Sequence, residues 1–197
     1  MSNTSDSRQR IIFLDIDGTL IEHGLAIQDS SIEAVRRARE AGHLVFLCTG
    51  RGASDIQEDI RNIGFDGEIT NGGAHAEIGS REMFSYAMPE EDSQFLLDTF
   101  EKWDLPALVQ SLDQTYVSEE ARALMVAADE AVRAQSDEEL PHSFNRAFSD
   151  FPSIEDADMT TVAKVLFVVD RAVDYEVLAE ELGSRFHLIP GSMPLPA

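Results

Sequence analysis

Apolar positions near the start of the chain come in short, unbroken runs. Ile11-Ile12-Phe13-Leu14 and Leu44-Val45-Phe46-Leu47-Cys48 show no alternation, the pattern of strands buried on both faces of a parallel sheet. Phe65–Thr70 supplies a third short strand. Helical spacing separates these runs. Ser30-Ser31-Ile32-Glu33 is an S-x-x-E capping box opening a helix. Its stripe is Ile32, Val35 and Ala38/Arg39, and Gly42 ends it. Ile56, Ile60 and Ile63 predict a second helix, closed by Gly64. Ile21–Gln28 reads as an irregular excursion that carries His23, a solvated loop histidine. The order β-α-β-α-β is half of a doubly wound α/β sheet.

From about Ala74 the pattern changes. Ala74–Ile78 and Glu82–Met88 predict strands joined by the turn Gly79-Ser80-Arg81. Glu90–Trp103 is helical, with Phe95, Leu96, Phe100 and Trp103 on one side. Leu108–Leu112 and Gln114–Ser118 form a second strand pair, and Ala121–Gln135 another helix. Ser136–Met159 is acidic and loop-like. Thr161–Val169 is a strand, Tyr175–Leu182 a helix and Phe186–Ile189 a last strand. Hairpins mixed with helices predict an α+β unit.

The chemistry lies where the first runs end. In open α/β sheets, ligands bind beyond the carboxyl ends of the strands. Asp15 and Asp17 follow the first run, two residues apart and close enough to share a cation. Gly18 permits a sharp turn and a close backbone approach to a ligand. The second run leads into Thr49-Gly50-Arg51. A hydroxyl and a backbone N–H at a helix start can hold phosphate oxygens, and Arg51 could add a forked contact. Asn71-Gly72-Gly73 ends the third strand, as a plain turn or as a substrate-facing Asn.

Asp15-Ile16-Asp17-Gly18-Thr19 resembles the DxDGT motif of the haloacid dehalogenase (HAD) superfamily, and Thr49 its second motif. Asn71-Gly72 resembles the turn after the third strand in the Cof-like branch. The resemblance implies a partial Rossmann-like parallel core over residues 1–74 and an inserted α+β cap over 75–197. It implies a phosphatase acting on a small phosphorylated metabolite, typically a sugar phosphate. Asp15 would be the nucleophile and Asp17 the general acid/base. Gly18, Thr49 and Gly50 would bind phosphate, and Arg51 and Asn71 would face the substrate. Mg²⁺ would sit on Asp15 and Asp17. An aspartate at position 17 favours phosphatases over related ATPases.

Charge and composition narrow the partners. The 197 residues include 37 acidic and 15 basic side chains, for a formal charge of −22. Such a surface repels nucleic acid and anionic lipid, and a phosphate site must be made locally positive. The polar start Met1–Arg10 carries no secretory apolar region and reads as a frayed tail. The single cysteine, Cys48, fits a reducing, cytoplasmic setting and is expected to be a packed core thiol. Oligomeric state is not legible.

The family's third motif, a lysine, and its fourth, metal-binding carboxylates, find no match before the last residue, Ala197. Lys164 followed by Asp170 and Asp174 mimics them, but no helix fits between Lys164 and Asp170. Lys164 is therefore expected in mid-strand, and the two aspartates at a helix start. Lys102, the other lysine, is expected at a helix end. The expectation is a truncated, marginally stable and poorly active phosphatase. Two alternatives stand beside it: a non-catalytic fragment or degenerate relative, and a phosphomutase.

Overall fold

The computed structural model describes residues 8–22, 24–135, 150–169 and 171–189. His23, Asp170, most of the acidic loop and the final residues lie outside that set. Two sheets organise the molecule. The first has the order β1 (Ile11–Leu14), β2 (Leu44–Cys48), β3 (Gly67–Thr70), β4 (His75–Ile78), β5 (Arg81–Ser85). β1, β2 and β3 run parallel, with Leu14 opposite Leu47 and Cys48 opposite Ile69. β4 and β5 continue the sheet antiparallel. The hairpin assigned from sequence to the second unit is thus paired into the first sheet. Gly67 permits that pairing, since a Cβ there would lie 2.1 Å from the Glu77 carbonyl oxygen.

Helix α1 (Asp29–Glu40) lies on one face of this sheet, with Ile32, Val35 and Ala38 against Ile12, Leu14 and Val45. It starts at Asp29, and its N-cap Gln28 makes no side-chain capping bond. The expected capping box is not formed, because Ser30 already sits inside the first turn. The second predicted helix is only a single 3-10 turn, Ala53–Asp55, and the four-residue α2 (Glu58–Arg61). Its three isoleucines are nonetheless buried.

The opposite face of β1 and β2 differs from expectation. Ile11 and Phe13 remain 59% and 54% exposed, and Cys48 is exposed. Burial on both faces is not realised at β1 or at the end of β2, although Phe46, opposite Phe13 on that side, is 7% exposed. Cys48 is accordingly not a core thiol.

The second sheet has the order β7 (Thr115–Val117), β6 (Ala107–Ser111), β8 (Val162–Phe167), all antiparallel neighbours. Its residues alternate in destination, as strand geometry requires. Ala107, Val165 and Phe167 pack on α3 (Glu90–Lys102) and α5 (Tyr175–Leu182). Leu108, Val117 and Leu166 pack with Ala121 and Met125 of α4 (Glu119–Gln135). Asp174 caps α5 by accepting from the Val177 N–H, as expected of a helix-start residue. Phe186–Ile189 forms no strand. Phe186 stacks on Phe95 instead, at 5.8 Å, while Ile189 is exposed.

Candidate phosphoryl-transfer site

The parallel pairing of β1 with β2 sends the loops after both strands out of the same sheet end. Asp15 begins the first loop. Its Oδ1 accepts from the Ile16 N–H at 2.8 Å, and the residue is exposed. Gly18 takes φ +79°, and its N–H donates to the Ile21 carbonyl at 2.8 Å. The expected phosphate donor at Gly18 is therefore occupied by a turn bond.

The second loop is held by β3. Thr49 N–H donates to Ile69 O, and Asn71 N–H to Arg51 O, at 2.9 and 2.8 Å. Thr49 is buried, and its Oγ1 accepts from the Arg51 N–H at 3.1 Å, so its own proton stays available. Gly50 is exposed beside it.

Arg51 joins the two loops. Its Nε and Nη2 donate to both carboxylate oxygens of Asp17, at 2.9 and 2.6 Å. Nη1 donates to Gln57 Oε1 at 2.7 Å and to the Asp55 carbonyl at 3.3 Å. The arginine side chain is 3% exposed and that of Asp17 57%. Arg51 was expected to reach for phosphate, but its fork is spent on positioning Asp17. A planar fork against a carboxylate is the geometry that guanidinium favours.

Asn71 sits in the turn after β3 and bonds across to the second sheet. It adopts φ +53°, which asparagine tolerates better than most residues. Its Nδ2 donates to the Ser111 carbonyl of β6 at 3.3 Å, and it is 3% exposed. It faces the second sheet.

That sheet touches the site loops through Gln110, Thr115 and Lys164, of which only Lys164 drew notice in the sequence. Asp55 is buried, and its Oδ2 accepts from Gly52 N–H, Gln110 Nε2 and Thr115 Oγ1, at 3.2, 3.1 and 2.9 Å. Its Oδ1 accepts from Ser54 Oγ at 2.9 Å. Burial pushes the Asp55 carboxyl above its ordinary 3.8, against the pull of these bonds and of Arg51. Lys164 Nζ donates to the Gly50 carbonyl at 2.8 Å. Lys164 is in mid-strand as expected, and its ammonium reaches the loop after β2. No sequence signal marks Asp55, because the pairing that buries it spans 55 and 60 residues.

Four side chains at this seam carry a buried oxygen without a partner: Thr70 Oγ1, Asn71 Oδ1, Gln110 Oε1 and Ser111 Oγ. Beside it opens a cleft of about 420 Å³ lined by Ser54, Arg61, His75, Glu82, Ser85 and Asp113. Within the cleft wall, Ser85 Oγ donates to Glu82 and meets His75 Nδ1, both at 2.8 Å.

No group of three or more His, Cys, Asp or Glu among the described residues could hold a metal ion. Asp15 and Asp17 still fit Mg²⁺ in kind. That ion takes hard oxygen donors, keeps several waters and often binds through one or two carboxylates plus substrate phosphate.

Comparison with known proteins bears on the same residues. The model of the haloacid dehalogenase-like hydrolase family matches residues 12–192. The chain is 32% identical over 89 residues to the 5-amino-6-(5-phospho-D-ribitylamino)uracil phosphatase YwtE of Bacillus subtilis, covering 45% of this chain and 31% of that one. It is 52% identical over 42 residues to the pyridoxal phosphate phosphatase YbhA of Escherichia coli, covering 21% and 15%. A haloacid dehalogenase-like hydrolase from Bacteroides thetaiotaomicron superposes with a TM-score of 0.65 at 20% identity, over 90% of this chain and 64% of that one. The HAD subclass IIB sugar phosphatase BT4131 superposes at 0.51 with 25% identity, over 73% and 56%. The chain spans less than two thirds of the length of each of these relatives.

Proposed function

The chain belongs to the haloacid dehalogenase-like hydrolases, and from that premise we propose a Mg²⁺-dependent phosphatase of a small phosphorylated metabolite, a sugar phosphate, working through an aspartyl phosphate. The observation that carries this reading is the bidentate Arg51–Asp17 pair. It ties the aspartates after β1 to the hydroxyl loop after β2, which is the juxtaposition phosphoryl transfer needs.

Each residue then has a task. A carboxylate oxygen of Asp15 attacks phosphorus, forming the Asp15 O–P bond as the ester P–O bond breaks. Asp17 gives a proton to the departing oxygen and takes one from the water that later cleaves the acyl phosphate. Its two oxygens have lone pairs beyond those facing Arg51, so the fork aims the group without filling it. Thr49 O–H and Gly50 N–H hold the non-bridging oxygens as charge spreads over them. Mg²⁺, held by the Asp15 carboxylate and the Asp17 backbone carbonyl, would offset repulsion between the anionic nucleophile and an anionic phosphate. The cleft beside the seam has the volume for a sugar, and its Ser54, Arg61, His75, Glu82, Ser85 and Asp113 side chains could bind hydroxyls. A single cysteine suits the reducing cytoplasm.

The test is hydrolysis of p-nitrophenyl phosphate and a panel of sugar phosphates by the full chain in Mg²⁺. Turnover should vanish in EDTA, and Asp15→Asn should lower it by about a thousandfold or more. Equal turnover by Asp15→Asn refutes the assignment. Phosphate binding without turnover would move the chain to the binding-only reading.

A further inference from the structure

The phosphatase reading leaves a charge problem on which the following inference rests. Two aspartates and a phosphoryl group meet in a chain of formal charge −22. The loop's own cation, Arg51, is committed to Asp17, Gln57 and the Asp55 carbonyl. The chain contains only two lysines, and Lys102 bonds Glu181 on α5, away from the site.

The other lysine is delivered by the register of the second sheet. Gln110 of β6 lies opposite Thr115 of β7 on one side and Lys164 of β8 on the other. Directly paired residues share a face, so the three form one rung across three strands. Farther along the same face, Leu108, Val117 and Leu166 are apolar and pack with α4. At this rung the face turns polar and meets the site loops. Thr115 and Gln110 both donate to Asp55 Oδ2, pinning two strands of the rung to the loop. Lys164, the third, then lands on Gly50, with Nζ 2.8 Å from its carbonyl oxygen.

We propose that Lys164 is a phosphoryl-binding residue of this site, a cation supplied by the second sheet to a phosphate held at Thr49 and Gly50. An ammonium has three donors, and the Gly50 carbonyl uses one. A lysine on a flexible stem binds phosphate as a point charge and needs no fork geometry. The position is also costly without an anion. Burial pushes the Lys164 pKa below its ordinary 10.5, with Asp55 pulling the other way. A bound phosphate would supply the missing counter-charge. Because β8 lies 114 residues beyond Gly50, the contact exists only when the second sheet sits on the first. Phosphate affinity would thereby report that docking.

The experiment is calorimetric titration of the full chain with inorganic phosphate, alongside thermal melting with and without phosphate. Lys164→Met should weaken phosphate binding about tenfold to a hundredfold, the loss expected for one hydrogen bond to a charged group. Lys164→Gln is the decisive second variant. It keeps an N–H donor for the Gly50 carbonyl but no charge, and should weaken binding as Lys164→Met does. Lys164→Arg should restore most of the affinity, and Lys102→Met should change nothing. If Lys164→Gln binds phosphate as tightly as the unaltered chain, Lys164 is only a structural latch and the proposal falls while the phosphatase reading stands. If the unaltered chain binds no phosphate, that reading fails and takes this one with it.

Discussion

Replacing Asp55 separates the two things its carboxylate does. It accepts four hydrogen bonds, three on Oδ2 and one on Oδ1. Two donors, Gln110 and Thr115, come from the second sheet and are 2% and 0% exposed. Asp55→Ala strands both donors where water cannot reach. At about 1–3 kcal/mol for each buried group left unpaired, the change should cost about 2–6 kcal/mol. Asp55→Asn is different. With its carbonyl oxygen in the place of Oδ2 it keeps three of the four bonds and loses only that from Ser54. It also removes a buried charge. Its cost should stay within about 1 kcal/mol near neutral pH. The pH dependence has a definite sign. Burial raises the folded-state pKa above 3.8, so the folded chain holds the proton more tightly than the unfolded chain. The stability this group contributes is complete below 3.8 and is lost as pH rises through the folded value. Relative to Asp55→Asn, the unaltered chain should therefore lose stability on going upward from pH 3.8. Urea unfolding of the full chain at several pH values, compared at equal m, gives both quantities. A cost under about 1 kcal/mol for Asp55→Ala, or equal costs for the two variants, would refute the account of the seam.

Other outcomes are equally specific. Gly67→Ala should destabilise by about 1–3 kcal/mol or more, because its Cβ would meet the Glu77 carbonyl oxygen at 2.1 Å and Phe46 at 2.7 Å; a urea midpoint unchanged from the unaltered chain would contradict that packing. Arg51→Lys keeps the charge but loses the fork on Asp17, and should lower kcat about tenfold with little change in KM; an equal fall in kcat for Gln57→Ala would shift the role to the Gln57 contact.

How much could be read beforehand depends on the range of the interactions. β1 and β2 announce themselves because each is a local apolar run, and the residues proposed to act on phosphate follow them within a few positions. The Arg51–Asp17 pair was missed in its role because it depends on how two loops 34 residues apart face each other. The capping box at Ser30 failed for a related reason: a local pattern fits several registers, and packing of Ile32 and Val35 on β2 selects one. Phe186–Ile189 has strand composition but pairs with no strand among the described residues, and Phe186 stacks on Phe95 instead. Lys164 is the sharpest case. Its place in mid-strand was legible from the apolar run around it, whereas its destination follows from register with Gln110, which no spacing reveals.

Cys48 is exposed at the end of β2, directly before Thr49, and the chain contains no second thiol. A maleimide fluorophore would therefore attach at one place without any mutation. It would stand next to Thr49, the residue proposed to hold phosphate, so its emission could follow substrate arrival in real time.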